Sequence, residues 1–179
     1  MARYAAFLRG MNLGGRRITN RDLAAAVSGL GYEEVETFRA SGNVIFAADR
    51  GGKAAIASRL ESGLGDALGY EVPVFLRSGA EVRAIAAREP FDPDVVSASS
   101  GKLQVALLLD TPAARGRREA LALATESDRL AIEGRELYWL PSGGMSESEL
   151  DLNAIAAALG LMTVRTMGTI EQVAAKYFG

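Results

Sequence analysis

The chain writes the same order of elements twice, and that repetition limits the fold more than any bulk property does. In the first half, residues 4–8 form a short apolar run that suits a buried strand. Thr19-Asn20-Arg21-Asp22 then offers a capping side chain with an acid three residues on. Leu23, Ala26, Val27 and Leu30 recur at helical spacing until Gly31. Residues 35–39 and 44–48 read as an antiparallel pair around the turn Ala40-Ser41-Gly42-Asn43. Ile56, Leu60, Leu64 and Leu68 mark a second helix, which Gly63 and Gly65 weaken, so packing has to hold it. Residues 72–77 are the last strand of this half. Ser78-Gly79-Ala80-Glu81 is a capping box for a trailing helix with Val82, Ile85 and Ala86 inward, stopped by Pro90.

Residues 91–101 show no period and read as a linker. The pattern then restarts. Residues 103–109 are an apolar strand, Thr111-Pro112 places a cap and a first-turn proline, and a helix runs to about Ala124. Residues 129–132 and 137–140 pair across Glu133-Gly134-Arg135-Glu136. Ser146-Glu147-Ser148-Glu149 reads as a second capping box, opening a helix striped by Leu152, Ile155, Ala156 and Leu159 and closed by Gly160. Residues 163–167 are a strand, and Thr169-Ile170-Glu171-Gln172 a third capping box with Ile170, Val173, Ala174 and Tyr177 inward.

Strand–helix–strand twice, with right-handed crossovers, interleaves into a four-stranded antiparallel sheet carrying two helices on one face. The expected class is α+β, a duplicated ferredoxin-like (βαββαβ) chain with antiparallel sheets. Residues 1–90 are the first half with its trailing helix, 91–101 the linker, and 102–179 the second half. Identity between the halves is slight, so the duplication rests on element order and on Arg77 and Arg165, each standing before a capping box. The strand at 103–109 is apolar on both faces, so its second face is expected to be covered by the other half or by a second copy of the chain.

With no cysteine and no histidine, the 179 residues can form no disulfide, thiolate nucleophile, histidine base or ordinary zinc site. Any chemistry falls to carboxylates, Lys, Tyr, Ser and Arg, whether or not the chain is an enzyme. No cofactor and no metal are expected. The closely spaced Glu147, Glu149 and Asp151 suit a helix start better than a cation. Asp92 and Asp94 suit a turn. Net charge is −2, so there is no overall positive field for nucleic acid or membrane. The apolar run at the N-terminus is interrupted by Arg9, and no stretch approaches a membrane span, which makes a cytoplasmic protein the expectation.

An anion site, if present, must be local, and the loop Arg9-Gly10-Met11-Asn12-Leu13-Gly14-Gly15-Arg16-Arg17 is where one would form. It joins a strand to a helix N-terminus and combines arginines with glycine backbone. In the expected sheet the end of the first strand lies beside the turn before the third. The candidate set is therefore Arg9, Asn12, Gly14 and Arg16 with Arg39, Ser41 and Asn43, while Arg77 and Arg165 supply a second basic pair or cap carbonyls. Ser41 and Asn43 serve equally well as turn-fixing side chains.

The stretches at 9–15, Ser41-Gly42-Asn43-Val44-Ile45-Phe46 and Thr163-Val164-Arg165 resemble the bacterial family known as domain of unknown function 1697. Its members typically open with a strand ending in Arg-Gly-Ile-Asn-Val-Gly-Gly and carry a Ser-Gly-Asn-Val-hydrophobic-Phe turn. The likeness covers the whole chain, strongly over the first fifty residues. It implies the fold and a cytoplasmic bacterial setting, and supplies no activity. A Ser-Lys-Leu common in the family reads Ser148-Glu149-Leu150 here, and an Arg-Asn-Trp reads Arg165-Thr166-Met167. The leading function is binding of a small phosphate- or carboxylate-bearing ligand. The alternatives are a structural or dimerising module and, with less behind it, single-stranded nucleic-acid binding on an open sheet through Phe7 and Phe46; Trp139 would be a stacking platform on such a face, but a lone Trp on a strand is more often core.

Overall fold

The computed structural model describes residues 1–11, 14–40, 42–49 and 51–179. The chain divides into two compact units, Met1–Arg83 with Val173–Gly179, and Ala84–Gln172. Among the described residues it is a mixed α+β chain with two four-stranded antiparallel sheets and seven helices.

In the first unit β1 (Ala2–Leu8), α1 (Asn20–Gly29), β2 (Glu33–Thr37), β3 (Asn43–Ala48), α2 (Lys53–Leu68) and β4 (Val74–Ser78) follow the expected order. The sheet order is β2-β3-β1-β4, with every neighbouring pair antiparallel. Alternation along β1 sends Tyr4, Ala6 and Leu8 to one face, where Leu23 and Val27 of α1 and Ile56, Leu60 and Leu64 of α2 cover them. The opposite face carries Ala5, Phe7, Ile45, Phe75 and Arg77, and these are buried as well. Phe7 and Phe46 are both 0% exposed and lie on opposite faces, so neither offers a surface on which a base could stack.

Two sequence-level reasons for these helices hold in detail. Thr19 Oγ1 accepts from the Asp22 backbone N–H at 3.0 Å and caps α1. Gly63 and Gly65 do cost α2 propensity, but a Cβ at Gly63 would overlap Leu30, so this glycine lets α2 close on the end of α1. The helix α3 (Gly79–Ala86) opens with a reciprocal capping box. The Ser78 N–H donates to Glu81 Oε2 at 2.8 Å and the Glu81 N–H to Ser78 Oγ at 3.3 Å. It ends at Ala86, before Pro90 is reached.

The second unit holds α4 (Pro93–Ala98), β5 (Gln104–Leu108), α5 (Ala114–Leu121), β6 (Asp128–Glu133), β7 (Glu136–Pro141), α6 (Leu152–Leu159), β8 (Met162–Thr166) and the first part of α7 (Met167–Tyr177). Its sheet order β6-β7-β5-β8 repeats that of the first unit. Every residue of β5 is buried, and Ala106 and Leu108 pack against Ala120 of α5 and Ile155 of α6.

Four local expectations are corrected. The segment at 91–101 contains α4, capped by Asp92 accepting from the Asp94 N–H at 2.9 Å with proline in the first turn. Thr111 is not the cap of α5, which begins after Ala113 without a side-chain cap. Ser146-Glu149 opens no α-helix. Met145–Glu147 is one 3₁₀ turn, and α6 is capped by Asp151 accepting from the Ala154 N–H at 2.9 Å. The cap of α7 is Thr166, whose Oγ1 accepts from the Thr169 N–H at 3.2 Å, so Thr169 lies inside the helix.

Candidate functional site

The chain leaving β1 runs between two neighbours. The Leu8 N–H donates to the Gly42 carbonyl at 2.8 Å, and the Arg9 N–H donates to the Pro73 carbonyl at 3.2 Å. With Phe7 opposite Asn43 in the ladder, the Arg9-Gly10 corner meets the β2–β3 turn on one side and the approach to β4 on the other. Asn12 and Ser41 lie outside the described residues.

Asn43 is buried and turned inward. Its Nδ2 donates to the carbonyls of Phe38 at 2.9 Å and Ala40 at 3.3 Å, the turn-fixing service expected of an Asn beside a tight turn. Asn20, the first residue of α1, donates from Nδ2 to the Arg39 carbonyl at 3.1 Å, so the same turn is also held from the helix side. Arg39 sits at φ 56°, a conformation an L residue adopts at a cost, and its exposed guanidinium lies 5.5 Å from the Phe38 ring centroid. The carbonyl bond from Asn20 is one force that keeps it there.

Past Gly10, the consecutive glycines Gly14 and Gly15 have φ of 58° and 82°. Nothing lies near the space a Cβ would occupy at either, so the backbone conformation and not crowding calls for glycine. Arg16 places its guanidinium 4.1 Å over the Tyr70 ring, a contact that holds the arginine at the surface. Arg9, Arg16, Arg17, Arg21 and Arg39 thus lie on segments that converge at one end of the first unit, with Asp22 and Glu71 the acids on those segments.

Arg77 and Arg165 are placed elsewhere. Arg77 stands opposite Ala5 and is fully buried, well back along β1 from Arg9, with Nη1 donating to the Leu76 carbonyl at 3.0 Å. Arg165 stands opposite Val105 in the second unit, with Nη1 donating to Thr163 Oγ1 at 2.8 Å and the Val164 carbonyl at 2.9 Å. Burial pushes its pKa down to about 10. Each of the two caps the carbonyl just before it, at matching places in the two sheets. The match strengthens the case for duplication.

Gly42 is the residue on which this corner depends most. At φ 75°, an added Cβ would stand 2.7 Å from Met11 Cγ and 2.9 Å from Leu8 Cβ. Gly42→Ala therefore combines left-handed strain with a clash, and we expect a loss of roughly 1–3 kcal/mol in urea denaturation. A neutral effect would mean that the turn can be rebuilt without glycine.

The cleft of about 290 Å³ in this unit lies at the opposite end, lined by Tyr32, Ala48, Ile56 and Arg59 among others. Burial raises the Tyr32 pKa there, and the nearby Arg59 charge works against that rise. Among the described residues, no group of three or more acids is arranged to hold a metal ion, and no helix is long and apolar enough to cross a membrane.

Sequence reasoning missed a network in the second unit. Asp128 is buried, and its carboxylate accepts from Trp139 Nε1 at 2.8 Å, Ser148 Oγ at 2.7 Å and Thr125 Oγ1 at 2.8 Å. Trp139 is thereby a core residue and not a stacking platform. The hint in the sequence was an acid two residues before the apolar run Leu130-Ala131-Ile132.

No curated protein matches the chain. A solved structure, of "conserved bacterial protein SP0830 from Streptococcus pneumoniae", superposes with a TM-score of 0.69 over 98% of this chain and 97% of that one, at 20% identity. That likeness speaks to the fold alone. The family described as "Protein of unknown function (DUF1697)" matches residues 1–138, which takes in the arginine and glycine loop, the whole first sheet, and the second sheet as far as the first half of β7; the chain belongs to that family.

Proposed function

We propose that the protein binds a small ligand through a phosphate or carboxylate group, held at the Arg9–Arg17 loop by Arg9, Arg16 and Arg39 and by backbone N–H groups around Gly14 and Gly15. The observation that carries this reading is the Leu8–Gly42 bond, which sets the arginine-bearing loop against the arginine-bearing turn. Exposed guanidinium groups on adjacent segments are what recognition of an oxyanion requires. Asn43 drops out of the ligand set as a turn-fixing residue, and Arg77 as a buried one. In the same reading each half is ferredoxin-like, the halves are joined along the chain by the linker at 91–101, and the setting is cytoplasmic. The strand orders β2-β3-β1-β4 and β6-β7-β5-β8 support the first of these.

The test is a thermal-shift series with phosphate, sulfate, nucleotides and dicarboxylates on the wild type and Arg9→Ala. A charge-assisted bond is worth roughly 1.5–3 kcal/mol, so Arg9→Ala should weaken the ligand by roughly 10- to 150-fold. The exposed side chain should leave unliganded melting little changed. Stabilisation follows RT ln(1 + [L]/Kd), so the two proteins separate as ligand rises. A wild type that no anion shifts would remove the reading.

A further inference from the structure

The second unit has a cleft of its own, of about 380 Å³, which is within the size range of small-molecule sites. Its walls come from three segments tied together by hydrogen bonds. Ser99 Oγ donates to the Pro141 carbonyl at 2.7 Å, Ser100 Oγ to the Ser142 carbonyl at 2.5 Å, and the Ser142 N–H to the Ser127 carbonyl at 2.7 Å. The end of α4, the start of β6 and the end of β7 therefore form one frame.

Strand alternation decides what lines it. Asp128 points to the helix-covered face and is locked by Trp139, Ser148 and Thr125, so Arg129 is turned to the other face, beside its ladder partner Leu140. Arg129, Glu126 and the hydroxyl-bearing Ser127 and Ser142 then line the cleft, with Val95, Ala98 and Leu140 as its apolar wall. The side chains of Glu126 and Arg129 make no ion pair with each other or with any described residue, and the hydroxyls of Ser127 and Ser142 make no hydrogen bond to one.

Opposite charges on one small cleft wall that do not pair with each other narrow the ligand class. A neutral ligand would gain nothing from either charge, since both side chains are exposed and stay hydrated beside it. A simple anion would suit Arg129 and be repelled by Glu126, and a simple cation the reverse. We propose that this cleft binds a small zwitterion, a free α-amino acid with an aliphatic side chain. Its carboxylate lies on Arg129, its ammonium on Glu126, and its side chain against Val95, Ala98 and Leu140. The site is separate from the arginine loop of the first unit and stands or falls without it.

The test is an NMR titration of the full chain with L-valine, N-acetyl-L-valine and L-valinamide, following the amides of Ser127, Arg129 and Ser142. L-valine is expected to give saturable shifts at these amides, with each capped analogue at least about tenfold weaker because one charge-assisted contact is gone. Arg129→Gln and Glu126→Gln should each cost about tenfold or more while melting stays within about 1 °C of wild type, both side chains being exposed. Titration by the capped analogues at the affinity of L-valine would overturn the proposal, as would shifts confined to other residues or none up to about 10 mM.

Discussion

A chain ending at Gln172 is expected to lose the folded state of its first unit. Residues Val173–Gly179 belong to that unit although they are last in sequence. They are anchored in it by backbone as well as side chain. Arg3 Nη1 donates to the Tyr177 carbonyl at 3.3 Å and Arg83 Nη1 to the Phe178 carbonyl at 2.9 Å. The Tyr177 ring meets Phe38 edge-on at 6.1 Å, and Phe178 lies so close over Gly79 that a Cβ there would be 2.6 Å from its ring. Val173, Ala174, Tyr177 and Phe178 are all buried. At roughly 1.5–3 kcal/mol for each large apolar side chain, removing the segment costs roughly 5–9 kcal/mol, comparable with the whole stability of an ordinary domain. Hydrogen exchange should show the amides of β1 and β3 unprotected in the shortened chain. Phe178→Ala, at about 3 kcal/mol, is the graded version. Wild-type protection in the shortened chain would show that the segment only rests on the unit.

That segment marks where local reading of a sequence stops. The stripe Ile170, Val173, Ala174 and Tyr177 was legible, and all four residues are buried. What a stripe does not say is which surface it meets, and here its last turn belongs with a sheet whose strands are far away in sequence. The β1 and β3 adjacency was legible for the opposite reason. Once the order strand, helix, strand, strand is granted, crossover handedness leaves little choice about which ends meet.

The capping errors divide in the same way. Ser78–Glu81 succeeded because both partners of a capping box are local. Its counterpart was misplaced by one turn, at Thr169 in place of Thr166, although the duplication held the answer. Arg77 is followed at once by its cap, and so is Arg165. The Ser146-Glu149 box failed for a reason no local pattern contains. Ser148 Oγ is committed to Asp128, twenty residues away in sequence, and to the Leu150 N–H at 3.1 Å. The helix cannot begin there, and Asp151 takes the cap. In the arginine loop, sequence supplied residue types and the neighbouring turn. It could not supply the Tyr70 ring under Arg16, which is held by the chain between α2 and β4.

Asp128→Ala is expected to be the most damaging single substitution in the second unit, by roughly 3–5 kcal/mol. It deletes a carboxylate that receives three hydrogen bonds and leaves the Trp139 N–H buried without an acceptor. For a chain of this size that is roughly 8–15 °C in melting temperature. Burial alone would raise the Asp128 pKa, and the bonds from Ser148, Trp139 and Thr125 outweigh it, so the group sits below its ordinary value of 3.8. A carboxyl whose folded pKa is depressed stabilises the fold above its unfolded pKa, and that contribution is lost as pH falls through the folded value. The stability gap between wild type and Asp128→Asn should therefore be widest near neutrality and narrow below about pH 4, as the carboxyl takes up its proton. Urea denaturation of the two proteins across that range measures it. A gap that stays constant down to the lowest pH would show that the charge on Asp128 contributes nothing, and a gap that widens on acidification would place its folded pKa above the unfolded one.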